Sequence, residues 1–501
     1  MNIGKIGIGA AILLIIALAS CSLLLPERFS INAPIMNSLF GWEAEVTPED
    51  KLNQRLTLPA GYRLNIYASN IPHARLMRWT QGGDLLVSTP RAGEIRLIAH
   101  DANGDGRGDD DRVLISNLNR PHGLELYDGW LYIAETDAIA RIRFDEATGA
   151  VSGEVERILT GLPGDHNHWS RTLHLGPDGK MYVSVGSSCN VCIEEDPRRA
   201  ALLRFNPDGT NVEIYATGLR NTVGFDWQPG TGKLYGVDNG RDWLGDDIPP
   251  EELNLIEQGK FYGWPFFYGM NVPDPDFGTI PDPKLANILA SPVHVFPAHT
   301  APLSIHFIRN PEPVPGLKDA ALVTLHGSWN RSEKQGYEIV SLHWRPDGVI
   351  EQRPFVSGFE IDEDVIGRPV GINQGPDGAL YVSDNYAGAI YRIAHGEPRA
   401  ASNATSGGAP TPTPAPAETP QDAAAIARGA KLWAENACAT CHAPAAAARN
   451  GAVPELKNIA QRYTVDDLTA LLTAPPANMP NVELSDTEKA DLAAYLRATY
   501  N

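Results

Sequence analysis

A short alternation of apolar and polar positions recurs through the middle of the chain, between about residues 57 and 397. Each copy is a turn, usually with Gly, followed by a short and mostly apolar strand. The copies begin at Gly83, Gly129, Gly179, Gly232, Ala321 and Gly378. Most are roughly 50 residues apart, the length of one four-stranded propeller blade. The pattern therefore predicts an all-β, six-bladed propeller over residues 57–397.

Two further stretches fit this interpretation. The strand-like segment Tyr62–Tyr67 precedes the first copy, and we expect it to pair with the last blade and close the ring. The longer gap between the fourth and fifth copies contains the Pro- and aromatic-rich stretch Phe261–Pro283, which predicts a loop insertion.

The pattern changes after the sixth copy. Residues 398–421 are rich in Pro, Thr and Ala, which is typical of a semi-rigid linker. Residues 422–501 predict a small all-α domain with helices over Ala423–Asn436, after a Thr464 cap, and after a Ser485–Glu488 capping box. In the second helix, one face carries Leu468, Leu471 and Leu472. In the third, the residues expected to face inward are Leu492, Tyr495 and Leu496.

The first residues are typical of an export signal. Lys5 supplies a positive charge before the apolar run that ends at Leu18. Leu18-Ala19-Ser20-Cys21 matches the bacterial lipobox, so residues 1–21 are interpreted as a lipoprotein signal peptide and residues 22–56 as an N-terminal extension. The alternative is an uncleaved transmembrane anchor, because apolar residues continue to Leu25. Either interpretation predicts an exported protein on the periplasmic side of a membrane.

The charge of the chain limits its partners. The formal net charge is −20. A chain this acidic is not expected to bind nucleic acid through a basic face.

The motif Cys438-Ala439-Thr440-Cys441-His442 predicts a covalently attached c-type haem. Two thiols at this spacing can add to the two vinyl groups of one haem, and the adjacent His is then an axial iron ligand. Met479 lies among prolines and is the expected second ligand. Such ligation leaves no open position on the iron, so the haem would carry electrons. The alternatives are a zinc or disulfide site for the motif and a core position for Met479.

Cys189 and Cys192 form a second pair. In an oxidising compartment they are expected to form a short-loop disulfide. A redox-active pair is the alternative, although no thioredoxin-like βαβ pattern surrounds them.

An acidic loop offers a candidate calcium site. Asp101, Asn103, Asp105 and Asp109 place oxygen atoms at positions 1, 3, 5 and 9 of a loop with Gly at position 6, as in an EF-hand. Position 12 is Arg112 rather than the usual Glu. The loop is therefore interpreted either as a structural calcium site or as an acidic, solvated turn.

Several motifs occur in order along the predicted propeller: GLRNTVG at 218–224, HTAP at 299–302, HGSWNRS at 326–332, and GRPVG at 367–371 followed by QGPDG at 374–378. Together they resemble the glucose/sorbosone dehydrogenases, most closely the sorbosone dehydrogenase branch, over about residues 57–396. The resemblance implies a six-bladed propeller that uses pyrroloquinoline quinone (PQQ). The C-terminal part separately resembles small bacterial cytochromes c.

The resemblance implies cofactor-binding roles for three side chains. PQQ is a flat tricarboxylate, and the guanidinium groups of Arg220 and Arg368 are suited to carboxylates. Asn221 is expected to hydrogen-bond the quinone oxygen. A calcium ion is implied at the backbone carbonyls of Gly240 and Arg241, although the family often has Pro in the second position.

The resemblance also implies a His as catalytic base, a few residues before an Arg. His166 and His168 are both candidates, and the His-x-x-Arg spacing of the sorbosone branch selects His168, which precedes Arg171. A neutral His can accept the proton of a substrate hydroxyl group. His122 occupies an equivalent loop of an earlier blade and is interpreted as either a pocket residue or a structural one.

These observations predict a quinohaemoprotein dehydrogenase. It would oxidise a sugar, namely an aldose, sorbosone or a related alcohol or aldehyde, with PQQ and calcium. Electrons would pass to its own haem and then to a cytochrome or oxidase of the respiratory chain. The alternatives are a non-enzymatic propeller that docks a partner and relays its electrons, and a lactonase-like hydrolytic propeller.

Overall fold

The structure is a computed structural model that describes residues 30–32, 44–396, 423–435, 438, 456, 459, 465–473 and 484–500. The chain divides into two compact units, Met1–Asn403 and Ala404–Asn501. The predicted signal peptide with Cys21, the linker over 398–421, and Cys441, His442 and Met479 lie outside the described residues. None of the helices in the described ranges is long and apolar enough to span a membrane.

The first unit is a six-bladed propeller, as predicted, built from six four-stranded antiparallel sheets. The chain enters it through helix α1 (Glu49–Arg55) and strand β1 (Tyr62–Ser69). Blade 1 consists of β2 (Met77–Trp79), β3 (Leu85–Thr89), β4 (Glu94–Ile98) and β5 (Asp111–Ile115), and blade 2 of β6 (Gly123–Tyr127), β7 (Trp130–Ala134), β8 (Ala138–Asp145) and β9 (Ala150–Thr160). Blade 3 consists of β10 (Leu173–Leu175), β11 (Met181–Val185), β12 (Ala201–Phe205) and β13 (Glu213–Thr217).

The remaining blades complete the ring. Blade 4 consists of β14 (Thr222–Trp227), β15 (Leu234–Asp238), β16 (Glu251–Ile256) and β19 (His294–Phe296). Blade 5 consists of β20 (Pro302–Phe307), β21 (Ala320–Leu325), β22 (Glu338–Trp344) and β23 (Ile350–Val356), and the short pair β24 (Glu360–Ile361) and β25 (Asp364–Val365) follows it. Blade 6 consists of β26 (Pro369–Gln374), β27 (Leu380–Asp384), β28 (Ala389–His395) and the early strand β1.

Every copy of the recurring sequence pattern proves to be the second strand of a blade: β3, β7, β11, β15, β21 and β27. Five of these six strands are buried along their whole length. A second strand has a neighbour on each side within its sheet and a packed blade on each face, so apolar residues are favoured at every position. This explains why the pattern was visible in the sequence.

The ring closes as predicted. Strand β1 pairs antiparallel with β28, with Tyr62 opposite His395 and Ser69 opposite Ala389. Helix α1 buries Leu52 in the hydrophobic cluster between blades 5 and 6, next to Phe355. The last part of the N-terminal extension is therefore part of the propeller core.

The predicted insertion lies between the third and fourth strands of blade 4. It carries the short strands β17 (Phe267–Tyr268) and β18 (Val272–Pro273) and the helix α2 (Pro283–Asn287). The buried carboxylate of Asp274 accepts hydrogen bonds from Arg241 at 2.9 and 2.8 Å, which ties the insertion to the loop after β15.

Most of the sequence motifs that carry the family resemblance lie at one end of the propeller. In an antiparallel four-stranded blade, the segment that enters the innermost strand and the loop between the second and third strands lie at the same end. These segments contain all the motifs that carry the family resemblance except QGPDG. We call this end the site end.

The second unit is helical, as predicted, with α3 (Ala423–Glu435), α4 (Val465–Thr473) and α5 (Asp486–Thr499). Ser485 and Glu488 form the predicted reciprocal capping box. The described part of its core is Trp433, Ile459, Leu468, Leu492, Ala493 and Leu496.

Of the three leucines predicted to share one face of α4, two contact the core. Leu471 is 39% exposed, whereas Leu468 is buried and Leu472 packs against the core. Residues four apart stand directly above one another on a helix, so α4 buries a narrow stripe that Leu471 flanks.

Candidate active site

The six blades of a propeller surround a central channel. Arginines surround this channel at the site end. Five of the six innermost strands are preceded, within three residues, by an Arg: Arg75, Arg120, Arg171, Arg220 and Arg368. At blade 5 the corresponding residue is His299. The repeated topology therefore brings five cations to one mouth of the channel.

Arg75, Arg120 and Arg368 form the most positive part of this ring. Burial, then the nearby charges of Arg368 and Arg120, lower the pKa of Arg75 to about 10. The guanidinium groups of Arg75 and Arg120 lie 5.7 and 4.1 Å from the ring centroid of Trp169. Neither guanidinium makes a hydrogen bond or ion pair with any residue that the structure describes, and Nε of Arg75 is fully buried. Arg75 and Arg368 are half-buried, and Arg120 is exposed. Like charges held close together repel each other when no anion lies between them, so the arrangement favours an anionic ligand.

Only some of the N–H donors of the Arg368 side chain have a hydrogen-bond partner. Its Nε and Nη2 donate to the carbonyl oxygens of His326 and Gly327 at 3.3 and 2.6 Å. Burial lowers its pKa. Within the described part of the chain, Nη1 has no hydrogen-bond partner and can still bind a ligand.

Two buried histidines line the same region. Burial, and then the neighbouring arginines, hold the pKa of His122 and of His326 well below the usual value. His122 is fully buried, and its Nε2 has no partner among the described residues. Both interpretations of His122, as a pocket residue and as a structural one, stay open.

His168 lies at the same end, before the innermost strand of blade 3. Its Nδ1 donates to the carbonyl oxygen of Ser187 at 2.8 Å and lies 2.9 Å from Oγ of Ser187. A carbonyl can only accept, so Nδ1 carries the proton and Nε2 is left as an acceptor. Burial, and then Arg220, lower the pKa of His168 to about 3. The imidazole is neutral at every working pH.

The loop that carries His168 is fixed by two buried arginines. Nη1 of Arg171 donates to the carbonyl oxygens of His168 and Ser170 at 2.7 and 2.8 Å. Arg199 donates to Asp165 Oδ1 at 2.8 Å. In contrast, His166 is 68% exposed and pairs with Asp165. The geometry therefore favours His168 over His166 as the base.

Gly186 separates His168 from Asn221. A Cβ atom at Gly186 would lie 2.6 Å from Cβ of His168 and 2.7 Å from Oδ1 of Asn221. Only a glycine allows this approach. Two of the predicted site residues, His168 and Asn221, are therefore brought together.

Arg220 has a different environment from the one expected. Its five N–H donors already bind the carbonyl oxygens of Asn190, Asn239 and Gly240, Oδ1 of Asn190 and a carboxylate oxygen of Asp242. A quinone carboxylate would have to displace one of these partners. In this structure Arg220 joins the loop after β11 to the loop after β15.

Gly240 and Arg241, the implied calcium ligands, lie in the loop after β15. The Gly240 carbonyl accepts from Arg220 at 2.7 Å. The Arg241 side chain is directed into the insertion, where Asp274 and Asp276 neutralise it. The replacement of the family's Pro by Arg241 is thus explained by a contact that fixes the insertion. Asp238, Asp242 and Glu251 are carboxylates around this loop, and burial raises the pKa of each.

Two partly exposed tryptophans adjoin these loops. Trp243 follows Asp242, and its ring meets that of Trp329 edge-on at 5.2 Å. Trp243 has a φ of 73°, which is unusual for a bulky residue. Its N–H donates to Oδ1 of Asn330 at 2.8 Å, and Nδ2 of Asn330 donates to the carbonyl of Ser30 in the N-terminal extension.

The cysteine pair in the loop after β11 is oxidised. Cys189 and Cys192 form the predicted disulfide. Together with Glu194 they are the one group of three potential metal ligands that comes together among the residues described here, but both sulfurs are bonded to each other.

The acidic loop lies between β4 and β5, at the end opposite the site. Asp101 accepts hydrogen bonds from the backbone N–H groups of Gly104, Asp105 and Gly106, and Asp109 accepts from Asn103. Calcium binding by Asp101, Asn103, Asp105 and Asp109 stays a prediction.

The channel also widens at its opposite end into a cavity of about 360 Å³. Its charged groups already pair with each other, Arg78 with Glu125 and Arg309 with Asp226. This cavity therefore lacks the uncompensated charge that marks the site end.

In the helical unit, Cys438 is the described residue of the haem motif. It packs against the core, and its N–H donates to the carbonyl oxygen of Trp433 at 3.2 Å. The first Cys of the motif therefore lies just after the end of helix α3.

Sequence reasoning missed Arg75, Arg120, Trp169, Ser187 and Asn190. One signal for the arginines was available, because an Arg precedes nearly every innermost strand. The roles of Ser187 and Asn190 depend on contacts between loops, which have no signature in the sequence.

The fold and the site define a sugar-dehydrogenase-like propeller joined to a cytochrome c domain. Residues 56–396 match the TrAA12-like family model, and the chain belongs to that family. Residues 424–496 match the model described as cytochrome c oxidase, cbb3-type, subunit III. Family membership and fusion were both predicted from the sequence, although the sorbosone dehydrogenase branch is not specified by these matches.

Individual relatives support the same assignment. An uncharacterised protein of Borreliella burgdorferi is 29% identical over 359 residues, which cover 69% of this chain and 92% of that protein. The pyrroloquinoline quinone-dependent pyranose dehydrogenase of Coprinopsis cinerea is 25% identical over 411 residues, 68% of this chain. This chain matches 52% of the length of that dehydrogenase.

Solved structures share the propeller fold. The calcium structure of the Trichoderma reesei family AA12 enzyme has a TM-score of 0.59 and 22% identity, covering 70% of this chain and 98% of that one. The holo PQQ domain of the Coprinopsis cinerea pyranose dehydrogenase has a TM-score of 0.55 and 22% identity, covering 68% and 97%.

Proposed function

We propose that this protein is a quinohaemoprotein dehydrogenase that oxidises a sugar, namely an aldose, sorbosone or a related alcohol or aldehyde. The observation that carries the proposal is the group of Arg75, Arg120 and Arg368, which form no ion pair among the described residues, at the end of the propeller that also holds the neutral base His168. The names of the relatives supply the class of substrate and cofactor.

The described residues fit PQQ. Its three carboxylates match three arginines whose charges interact at the site end, and the buried Nε of Arg75 and Nε2 of His122 have no partner among the described residues. Asn221 is placed to hydrogen-bond a quinone oxygen. When bound, PQQ supplies the two-electron acceptor for the hydride that leaves the sugar carbon.

His168 performs the proton transfer in this proposal. Nε2 accepts the hydroxyl proton of the substrate while the hydride departs from the adjacent carbon. Ser187 holds the protonated Nδ1, which keeps the ring in the tautomer that can accept at Nε2.

Trp243 and Trp329 are proposed to bind the sugar. Aromatic rings bury the apolar C–H face of a pyranose, and these two lie next to the loops that contact Arg220 and Arg368. The strained backbone of Trp243 is consistent with a ring placed for binding rather than for folding.

A calcium ion is proposed near Gly240 and Arg241, where the carboxyl groups of Asp238, Asp242 and Glu251 offer further oxygen ligands. The calcium-containing relative lends it weak support. The cation would polarise the quinone. Its loading would lower the pKa values that burial raises at the three carboxylates.

The electrons are proposed to leave through the cytochrome domain. Cys438 and Cys441 would attach the haem, and His442 and Met479 would ligate its iron. A downstream cytochrome or oxidase would accept the electrons. Export and lipid attachment at Cys21 complete the proposal and depend on the N-terminal sequence alone.

The test is a titration of the haem-containing, calcium-free protein with PQQ, with and without added calcium, followed by a panel of aldoses, sorbosone and polyols. We expect stoichiometric PQQ binding and sugar-dependent reduction of the haem absorbance band. Failure of every sugar to reduce the haem would contradict the proposed activity. Failure of PQQ to bind would favour the docking or lactonase-like alternatives, because neither needs a quinone.

A further inference from the structure

We infer that Asn190, held in the loop closed by the Cys189–Cys192 disulfide, is a positioning residue for the proposed quinone site. It acts through Arg220 and Asp242, which belong to the next blade. This inference rests on the proposed function and adds a role for the disulfide.

Asn190 joins two blades through four hydrogen bonds. Its carbonyl oxygen and Oδ1 accept from Nε and Nη2 of Arg220, both at 2.9 Å. Oδ1 also accepts from the backbone N–H of Asp242 at 2.8 Å, and Nδ2 donates to the Asp242 carbonyl at 3.0 Å. The side chain is therefore the cross-link between the loop after β11 and the loop after β15.

The disulfide fixes the segment that carries this side chain. Asn190 and Val191 are the two residues between the bonded cysteines. Outside the bridge, Glu194 accepts from the N–H and hydroxyl groups of Ser188 at 2.6 and 2.7 Å. A bridged and hydrogen-bonded loop loses little further freedom when it binds Arg220.

The same loop also orients the proposed base. Oγ of Ser187 donates to the carbonyl oxygen of Cys189 at 2.8 Å, which turns its lone pairs toward Nδ1–H of His168. Arg220 in turn lowers the pKa of His168. One short loop therefore fixes both the orientation of His168 and the position of Arg220.

This model predicts a specific pattern of variants. Asn190→Ala removes three side-chain hydrogen bonds, and Cys189→Ser/Cys192→Ser releases the loop. Each is expected to raise the PQQ dissociation constant by about tenfold, because Asn221 directly follows Arg220 and loses its fixed position, and with it the proposed hydrogen bond to the quinone. Combined, they should have about the effect of one alone, because both act through Asn190. Asn53→Ala, on the surface of α1, is the matched control.

The measurement is quenching of tryptophan fluorescence by PQQ, with thermal unfolding of each variant in parallel. Asn190→Asp keeps the acceptor for Arg220, so its PQQ dissociation constant is expected to lie between those of wild type and Asn190→Ala. The acid limb of kcat/KM should also move to higher pH in Asn190→Ala, because Arg220 no longer holds its place near His168. Dissociation constants within twofold of wild type, or effects that multiply in the combined variant, would overturn the inference.

Hydrogen exchange of the protein without PQQ separates this inference from the proposed function. Asn190→Ala should increase exchange in residues 239–243, across the blade boundary, whereas Asn53→Ala should not. If wild type fails to bind PQQ, the proposed function fails and exchange alone decides the positioning role. If exchange in 239–243 is unchanged, the positioning role is wrong whatever PQQ does.

Discussion

Ser187 presents both its carbonyl oxygen and its hydroxyl oxygen to Nδ1 of His168, at 2.8 and 2.9 Å. This double contact fixes the tautomer in which Nε2 accepts a proton. Ser187 lies in the loop after β11, where no catalytic motif was apparent in the sequence.

Replacement of His168 tests the base directly. His168→Gln is expected to lower kcat by at least about 100-fold, since general base catalysis contributes that much or more. PQQ binding should survive because the carboxylate-binding arginines are unchanged. Turnover with a sugar and PQQ titration are the two measurements. His166→Gln is the control, and a comparable loss in that variant would contradict the assignment.

The pH dependence follows from the lowered pKa of His168. A base with a pKa of about 3 in the free enzyme stays neutral down to low pH, so kcat/KM should not fall near the ordinary His value of 6.5. We expect a flat profile from about pH 8 to pH 5. The check is kcat/KM against pH at saturating PQQ. An acid limb centred near 6.5 would show that another group, or an exposed His, is the base.

The same shift makes folding sensitive to acid. Between about pH 3 and the unfolded pKa of 6.5, the unfolded state binds more protons at His168 than the folded state does. Stability therefore rises with pH through this window and levels off above it. Urea unfolding at pH 4.5 and 7 would reveal this dependence, and His168→Gln should weaken it.

Gly186 is predicted to be required for full catalytic activity. In Gly186→Ala the new Cβ atom would overlap His168 and Asn221, so at least one must move. We expect a fall in kcat of at least about tenfold, because misplaced reacting groups are costly. Gly164→Ala is the control in the same region, where the nearest atoms are side-chain carbons 3.1 Å away. Equal activity of the two variants would contradict the prediction.

Trp329 is predicted to bind substrate and not cofactor. Trp329→Ala removes one ring of the pair with Trp243, and we expect KM for the sugar to rise about tenfold, with PQQ binding unchanged. Steady-state kinetics on the preferred sugar give the answer. Trp130→Ala, on a blade 2 strand beside Arg141 and Arg143, is the matched control. An unchanged KM would remove Trp329 from the substrate site.

Close helix packing in the cytochrome unit can be tested at Gly429. A Cβ atom there would lie 2.1 Å from the carbonyl oxygen of Asp491 and 2.7 Å from Cβ of Tyr495. Gly429→Ala is therefore expected to destabilise this unit by about 1–3 kcal/mol, the usual cost of overpacking. Thermal unfolding followed at the haem band measures the effect. An unchanged Tm would mean that α3 and α5 are not in such close contact.

Much of the fold could be predicted from the sequence. The second strand of each blade is buried on both faces, so its apolar run is visible without any structure, and the spacing of these runs sets the number of blades. The pairing of β1 with β28 followed from the need to close the ring. The Ser485–Glu488 capping box was equally local and was also predicted correctly.

The site was predictable only in part. His168, Asn221 and Arg368 were found through motifs, and all three lie at the site end. Arg75 and Arg120 were not found, because their importance comes from convergence with Arg368 across blades far apart in sequence. The exposure of Leu471 could not be predicted, because the width of the buried stripe depends on the helix that covers it.

The blade count, the family and the haem motif could be recognised in the sequence, since each depends on local spacing or on residues adjacent in the chain. The folded protein was needed to show that the donors of Arg220 bind two loops, that Arg241 turns into the insertion, and that His168 lies against Ser187. The physical reason is that side-chain hydrogen bonds and charge interactions act over a few ångströms in space. Folding sets those distances between residues that the sequence keeps far apart.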